Sequence, residues 1–397
     1  MTVASPRIFA ALLPILAAVL IAFLVTGLAM PVLPLHVHEG LGLGTFVVGL
    51  VAGSQFAAAL LTRFWAGHLA DRRGGKHAVV AGLVLATAAG LLYLLSLRFV
   101  RAPETSVTIL LIGRAVLGAA ESAIITGALG WGLGLGGPAN AGKVMAWVGT
   151  ALYAAFAAGA PAGSALYAAH GFAAIALATT ILPLVTLLVV APLRPVTPPT
   201  VARPAFTKVL GAVWVPALGL AFSSVGFGAI TTFIALVFAQ HRWGQAWLAF
   251  TVLSVTFILA RVFLGHLPDT ISGSRVALVS VLIEAAGQAV IWLAPSPALM
   301  FVGAALTGFG YSLVYPGFGV EAVRHVPPQS RGLAMGTFTA FLDLALGIAN
   351  PALGWIARGA GVRSVFLAST LIILCAAGIA LRLVSMPGGV AVRLRSE

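Results

Sequence analysis

Six ionisable side chains stand inside long apolar stretches of this chain: Arg63, Arg114, Glu121, Arg261, Glu284 and Asp343. A charge in hydrocarbon is costly unless it is paired or wetted, so each is a candidate for handling ions or protons. Arg114 and Glu121 are seven residues apart, two turns of helix, which puts them on one face about 10 Å apart along the axis. Glu121 is the only carboxylate deep in the first half of the chain. A carboxylate so placed can take and release a proton as its surroundings wet and dry, with Arg114 tuning it. Glu284 has Gln288 one turn on, or lipid, as its expected neighbour, and a packing role is expected there. Neutral polar groups that can orient a solute are Gln55, Tyr153, Tyr311, Tyr315 and Asn350; the plainer use of each is as hydrogen-bonding glue between helices.

What must hold these groups is a membrane. Of 397 residues, 60% are hydrophobic and only 8% charged, against about 25% charged in a soluble domain. The apolar residues fall in blocks of about 20 or more, enough to cross a hydrocarbon core of roughly 30 Å. Lipid leaves backbone groups unsatisfied, so spans are helices or closed barrels, and the blocks lack the alternation of barrel strands. Twelve spans are predicted, at about 8–35, 44–69, 78–97, 107–131, 143–168, 171–193, 209–240, 245–267, 274–294, 297–323, 332–357 and 361–384. The first is too long for a cleaved signal.

The net charge of +13 follows from orientation rather than nucleic acid. With both termini cytoplasmic, fourteen of the 22 Lys and Arg fall on that side, five on the other and three within spans, as the positive-inside rule requires. One cysteine, Cys375, excludes an internal disulfide and is expected to pack. The linker at 194–208 carries Pro195, Pro198, Pro199 and Pro204, which no helix tolerates. It separates a bundle of six spans at 1–193 from another at 209–397.

The two halves repeat. Gly67-His68-Leu69-Ala70-Asp71 returns as Gly265-His266-Leu267-Pro268-Asp269, and Arg63 as Arg261, each 198 positions on. The full first stretch, GHLADRRGGK, resembles the loop motif between the second and third helices of the major facilitator superfamily. Arg114 in LIGRAVLGAAES, with Gly118, resembles a second family motif. Gly159-Ala160-Pro161-Ala162-Gly163 resembles its antiporter signature. GFGYSLVYPGFGVEAV (308–323) and RGLAMGTFTAFLDLALG (331–347) are similar to the YhhS/YfcJ-like group of bacterial transporters. The resemblance implies an all-α membrane protein of twelve helices in two pseudo-symmetric halves, with the substrate between them near the midplane. It implies that Asp71 meets the start of span 11 near Arg331 and Gly332, and Asp269 the start of span 5 near Ala141 and Gly142, as paired anchors of a cytoplasmic gate. Gly67, Arg72, Gly74, Lys76 and Gly265 belong to that motif. Gly67 is expected to permit close helix approach, and Gly74 and Gly75 to turn the chain with positive φ. The family's arrangement sets spans 2 and 11 side by side. Arg63 lies about 12 Å from its span's cytoplasmic end and Asp343 about 18 Å from its own. An Arg side chain covers the difference, so an Arg63–Asp343 latch between halves is expected. Relatives often carry an acid in span 1 as the Arg114 partner; here there is none.

Other signatures fail. His36-x-His38-Glu39 supplies three metal-capable groups too close in sequence to form a cage, and a solvated loop is expected. GPANAGKV (137–144) lacks the Ser or Thr of a phosphate loop. Enzyme signatures are absent. No cofactor and no metal are expected. The expected protein is a monomeric, multi-pass transporter of a bacterial inner membrane, exporting a small organic solute against protons. The alternative is a proton symporter or uniporter importing a sugar or organic acid. A lipid enzyme needs a clustered nucleophile or metal set; a sensor would keep the helices without both half-gates.

Overall fold

Backbone hydrogen bonding inside each apolar run makes it helical, and Gly, Pro or charge ends it. The computed structural model describes residues 6–137, 140–196, 206–324, 326 and 331–385. It contains the long helices α1 (Pro6–Ala29), α2 (Thr45–Arg73), α3 (Gly75–Ser96), α4 (Pro103–Gly136), α5 (Ala141–His170) and α6 (Phe172–Val190). After the linker follow α7 (Phe206–Gln240), α8 (Trp247–Leu264), α9 (Gly273–Leu293), α10 (Pro297–Arg324), α11 (Arg331–Ala360) and α12 (Ser364–Ser385). Among the described residues there is no strand, and eleven segments are long and apolar enough to cross a membrane. Linker residues 197–205 lie outside the described residues.

The first span runs through this region as Leu12–Gly40, but its helix is interrupted: it stops at Ala29 and resumes as a short helix, Leu33–Leu35, running into a wide turn, His36–Gly40. Pro31 and Pro34 explain the break, since neither donates a backbone N–H. The turn is not a solvated loop throughout. His36 is buried and stacks on Phe172 with ring centroids 4.1 Å apart. His38 Nδ1 turns instead to the Leu43 carbonyl at 2.8 Å.

Within 1–193, α1 packs on α5 and α6, α2 on α4, and α3 on α4 and α6. Within 209–397, α7 packs on α11 and α12, α8 on α10, and α9 on α10 and α12. Two seams join these sets: α2 against α11, and α5 against α8. Both seams are tight toward the end of the bundle remote from the termini. Thr45 Oγ1 donates to Gly354 O at 2.9 Å, and the α2 backbone at Gly49 and Gly53 lies against Asn350, Pro351 and Gly347. Thr251 Oγ1 donates to Ala157 O at 3.1 Å across the other seam.

The Gly159-Pro161-Gly163 stretch lies in α5 where that helix meets α1. A Cβ at Gly163 would collide with the Leu28 carbonyl oxygen, and one at Gly159 with the Gly27 backbone. Backbone cannot swing aside as a side chain can. Gly163→Ala is therefore expected to lower stability by about 1–3 kcal/mol, read as a lower melting temperature of the purified protein. An unchanged melting temperature would show that the two helices are free to separate there.

Candidate functional site

The interior polar groups are brought together by helices of both 1–193 and 209–397. Glu121, on α4, is buried. Its Oε1 accepts from Thr26 Oγ1 of α1 at 2.5 Å, and its Oε2 from Gln55 Nε2 of α2 at 2.6 Å. Three helices thus converge on one carboxylate through neutral donors. The close approach of α4 to α2 is set by Gly118, whose missing side chain leaves room for the Gln55 carbonyl.

Arg114, one helical face with Glu121, is also buried. It does not clasp Glu121 directly. Its Nη1 points to the Tyr93 hydroxyl at 3.4 Å, while its charge still acts on Glu121 through space. Thr26, Gln55 and Arg114 line a cavity of about 30 Å³ together with Thr231 and Thr232 of α7. That is room enough for water among polar partners. Thr26 is a group that sequence reasoning missed. Span 1 lacks an acid, but it supplies a hydroxyl to the acid of span 4.

Across the α2–α11 seam, Arg63 Nη2 bonds Asp343 Oδ2. Asp343 is buried and Arg63 partly so. Tyr315 and Thr339 hydroxyls bond at 2.8 Å, and Tyr311 meets Ser224 at 3.1 Å. Tyr153 stacks on Phe257 with centroids 3.5 Å apart. Asn350 is fully enclosed, with neither amide atom hydrogen-bonded, and its Oδ1 faces Gly228. It is thus a buried amide of the α7–α11 packing.

Glu284 does not face lipid, nor does it bond Gln288. It is fully buried, and its carboxylate accepts from Ser223 of α7. Gln288 instead donates to Gly226 O and Thr307 Oγ1, each at 3.2 Å. Cys375 is exposed on α12 rather than packed.

The repeated loops are used unequally. Gly74 ends α2 with φ of 92°, as its lack of a side chain allows. Gly75 is different from expectation. Its φ is not positive; it opens α3 and lies against the α4 backbone at Gly127 and Trp131. Gly67 permits no close approach, since a Cβ there would meet nothing within 4 Å. Lys76 Nζ donates to Ala191 O at 2.6 Å and to Leu193 O. It caps the end of α6, where a cation complements the helix dipole. Asp71 and Arg72 are exposed in the last turn of α2, which continues past Asp71 to Arg73. Gly265 ends α8, and Asp269 is exposed on a short helix, Leu267–Thr270. The Asp269 carboxylate makes no hydrogen bond or ion pair among the described residues. The side chains at the expected anchor points, Gly332, Ala141 and Gly142, lie outside the described residues, as do 138 and 139 of the near-phosphate loop.

A helical membrane bundle whose interior charges are shared between two packed sets of helices is the architecture of a transporter. The Major Facilitator Superfamily model matches residues 15–244 and 217–396, and the chain belongs to that family. An uncharacterized MFS-type transporter of Salmonella typhimurium is 41% identical over 351 residues, covering 88% of this chain and 90% of its own length. One of Burkholderia pseudomallei is 42% identical over 389 residues, covering 96% and 94%. Among solved structures, a bacterial homologue of the human lysosomal transporter Spinster, inward-facing and occupied, aligns with a TM-score of 0.75. It covers 96% of this chain and 97% of its own at 15% identity. The chain is a multi-pass membrane transporter.

Proposed function

We propose that the protein is a secondary active transporter of the bacterial inner membrane that exports a small organic solute in exchange for protons. The observation that carries this is Glu121: a carboxylate enclosed by three helices, held only by neutral donors, two of which line a cavity with room for water. Such a carboxylate gains or loses its proton with little rearrangement of its partners. The Arg63–Asp343 contact then acts as a latch between halves, because it joins α2 to α11 just beyond the tightly packed part of that seam. The principal packing pairs within 1–193, α1 on α5 and α6, α2 on α4, and α3 on α4 and α6, recur within 209–397. That supports two pseudo-symmetric six-helix halves rocking about the interior site. Similarity in α10 and α11 to the YhhS/YfcJ-like group supports placement there, and the Gly159-Pro161-Gly163 signature supports exchange over co-transport.

Proteoliposomes loaded with candidate solutes and given an inward proton gradient test the reading. Gradient-accelerated efflux is expected. Acceleration only when solute and protons move the same way would favour the symport alternative, and indifference to the gradient would favour a uniporter.

The paired loops give a second test. Asp71→Asn is expected to shift the population toward opening on the terminal side, and Asp269→Asn to do so more weakly, because its loop lacks the Arg72-Arg73 pair. The readout is thiol labelling of cysteines placed on each face after Cys375 is replaced. Equal or reversed effects would overturn the ranking, and no effect would reduce the motif to a turn.

A further inference from the structure

The two seams carry the same arginine but give it different company. Arg261 lies 198 positions after Arg63. On the facing helices, Tyr153 lies 190 positions before Asp343, the same spacing that separates Pro161 from Pro351. Tyr153 of α5 therefore stands where Asp343 of α11 stands. Arg63 has its carboxylate; Arg261 has none. The Arg261 guanidinium lies 5.6 Å from the Phe257 ring centroid, in electrostatic reach of Tyr153 and Tyr315. It makes no ion pair among the described residues. The other interior acids are committed elsewhere: Asp343 to Arg63, Glu121 to Thr26 and Gln55, and Glu284 to Ser223.

Arg261 does not turn to lipid. Its neighbours Val262 and Phe263, 53% and 68% exposed, take the outward face of α8, while Phe257 and Ala260 are buried. Tyr315 lies within electrostatic reach of Arg63, Asp343 and Arg261. Beside the guanidinium, five rings close a circuit: Tyr153 to Phe156 at 5.7 Å, Phe156 to Phe227 at 6.2 Å, Phe227 to Tyr311 at 5.7 Å, Tyr311 to Phe257 at 6.1 Å, and Phe257 back to Tyr153. An uncompensated cation at the rim of an aromatic patch matches one kind of solute. Its charge is negative, and its body is apolar enough to stack on rings.

We propose that Arg261 is the anion subsite of the transport path, taking the charged group of an organic monoanion whose apolar or aromatic body lies against Tyr153 and Phe257. The proposal rests on the transporter reading for the location of the path, and on nothing in the proton coupling. A guanidinium binds a carboxylate or phosphate through two parallel N–H donors, a geometry that lysine lacks.

The test uses the full chain purified in a neutral maltoside detergent at fixed pH, with no gradient, so that failed coupling leaves its outcome unaffected. Melting temperature is followed against benzoate and phenyl phosphate, with benzamide and benzyl alcohol as neutral counterparts. Saturable stabilisation by at least one of the anions, and not by its neutral counterpart, is expected. Arg261→Gln is expected to weaken the anion's apparent affinity by about tenfold or more, and Arg261→Lys by less. Equal response to anions and neutral counterparts overturns the proposal in the wild-type protein alone, even where Arg261→Gln fails to fold. Undiminished anion affinity in a folded Arg261→Gln protein does so too. Arg261-dependent stabilisation by phosphatidylglycerol alone would assign the guanidinium to a lipid headgroup, and would also overturn it.

Discussion

Glu121→Gln is expected to abolish gradient-driven transport while leaving solute exchange in place. The substitution keeps the side chain's length and removes its titration. Its local cost is small for a reason visible in the geometry. Thr26 can continue to donate to the remaining carbonyl oxygen. The new NH₂ would face the Gln55 NH₂, but Gln55 Oε1 has no partner of its own, so rotating that amide restores the bond. The cavity lined by Thr26, Gln55 and Arg114 keeps its shape. What disappears is one exchangeable proton. Efflux from proteoliposomes is expected to lose its acceleration by an inward proton gradient, and its dependence on pH, while equal-gradient exchange of labelled solute continues. Retained pH dependence in this variant would remove Glu121 from the coupling. Loss of exchange as well would make it part of the solute site instead.

Much of the architecture was legible because a membrane leaves a chain few options. Long apolar blocks must be helical, and charge between them marks their ends. The failures have specific causes. The break after Ala29 went unread because Pro31 and Pro34 sit within an unbroken apolar run, and hydropathy does not register a missing N–H. Gly67 and Gly75 carry a family motif, yet a glycine's neighbours depend on which helix lies opposite. Gly67 faces open space and Gly75 touches α4. The roles of Thr26 and Ser223 were illegible for a related reason. Hydroxyls on apolar helices are common, and only packing decides which one reaches a carboxylate. Conversely, the depths of Arg63 and Asp343 along opposed helices were readable from the rise per residue; their adjacency came from the family's arrangement. The same counting, applied to the repeat, exposes Arg261 as the arginine whose partner is an aromatic ring.

Breaking the Arg63–Asp343 contact is the second large effect expected. Toward the end remote from the termini, α2 and α11 meet through backbone at Gly49, Gly53 and Gly347, contacts that no single side-chain change removes. The ion pair is the next link along the seam. Removing one partner leaves the other charge in a poorly solvated place, which is costlier than removing both. Arg63→Gln and Asp343→Asn should therefore each open the terminal side of the bundle, and the double variant should open it less than the sum. A coupling energy of about 0.5–3 kcal/mol is the range for side chains in direct contact. The measurement is the fraction of protein whose terminal-side cysteine reacts with a bulky thiol reagent, on a background with Cys375 replaced, across the four proteins of the cycle. Asp343→Asn alone should also retain more transport than Arg63→Gln, because Asn still accepts a hydrogen bond from the arginine whereas Gln in place of Arg strands a buried carboxylate. Strict additivity across the cycle would show that the two side chains touch without sharing a function. An effect on labelling at the opposite face alone would show that the pair holds the other gate.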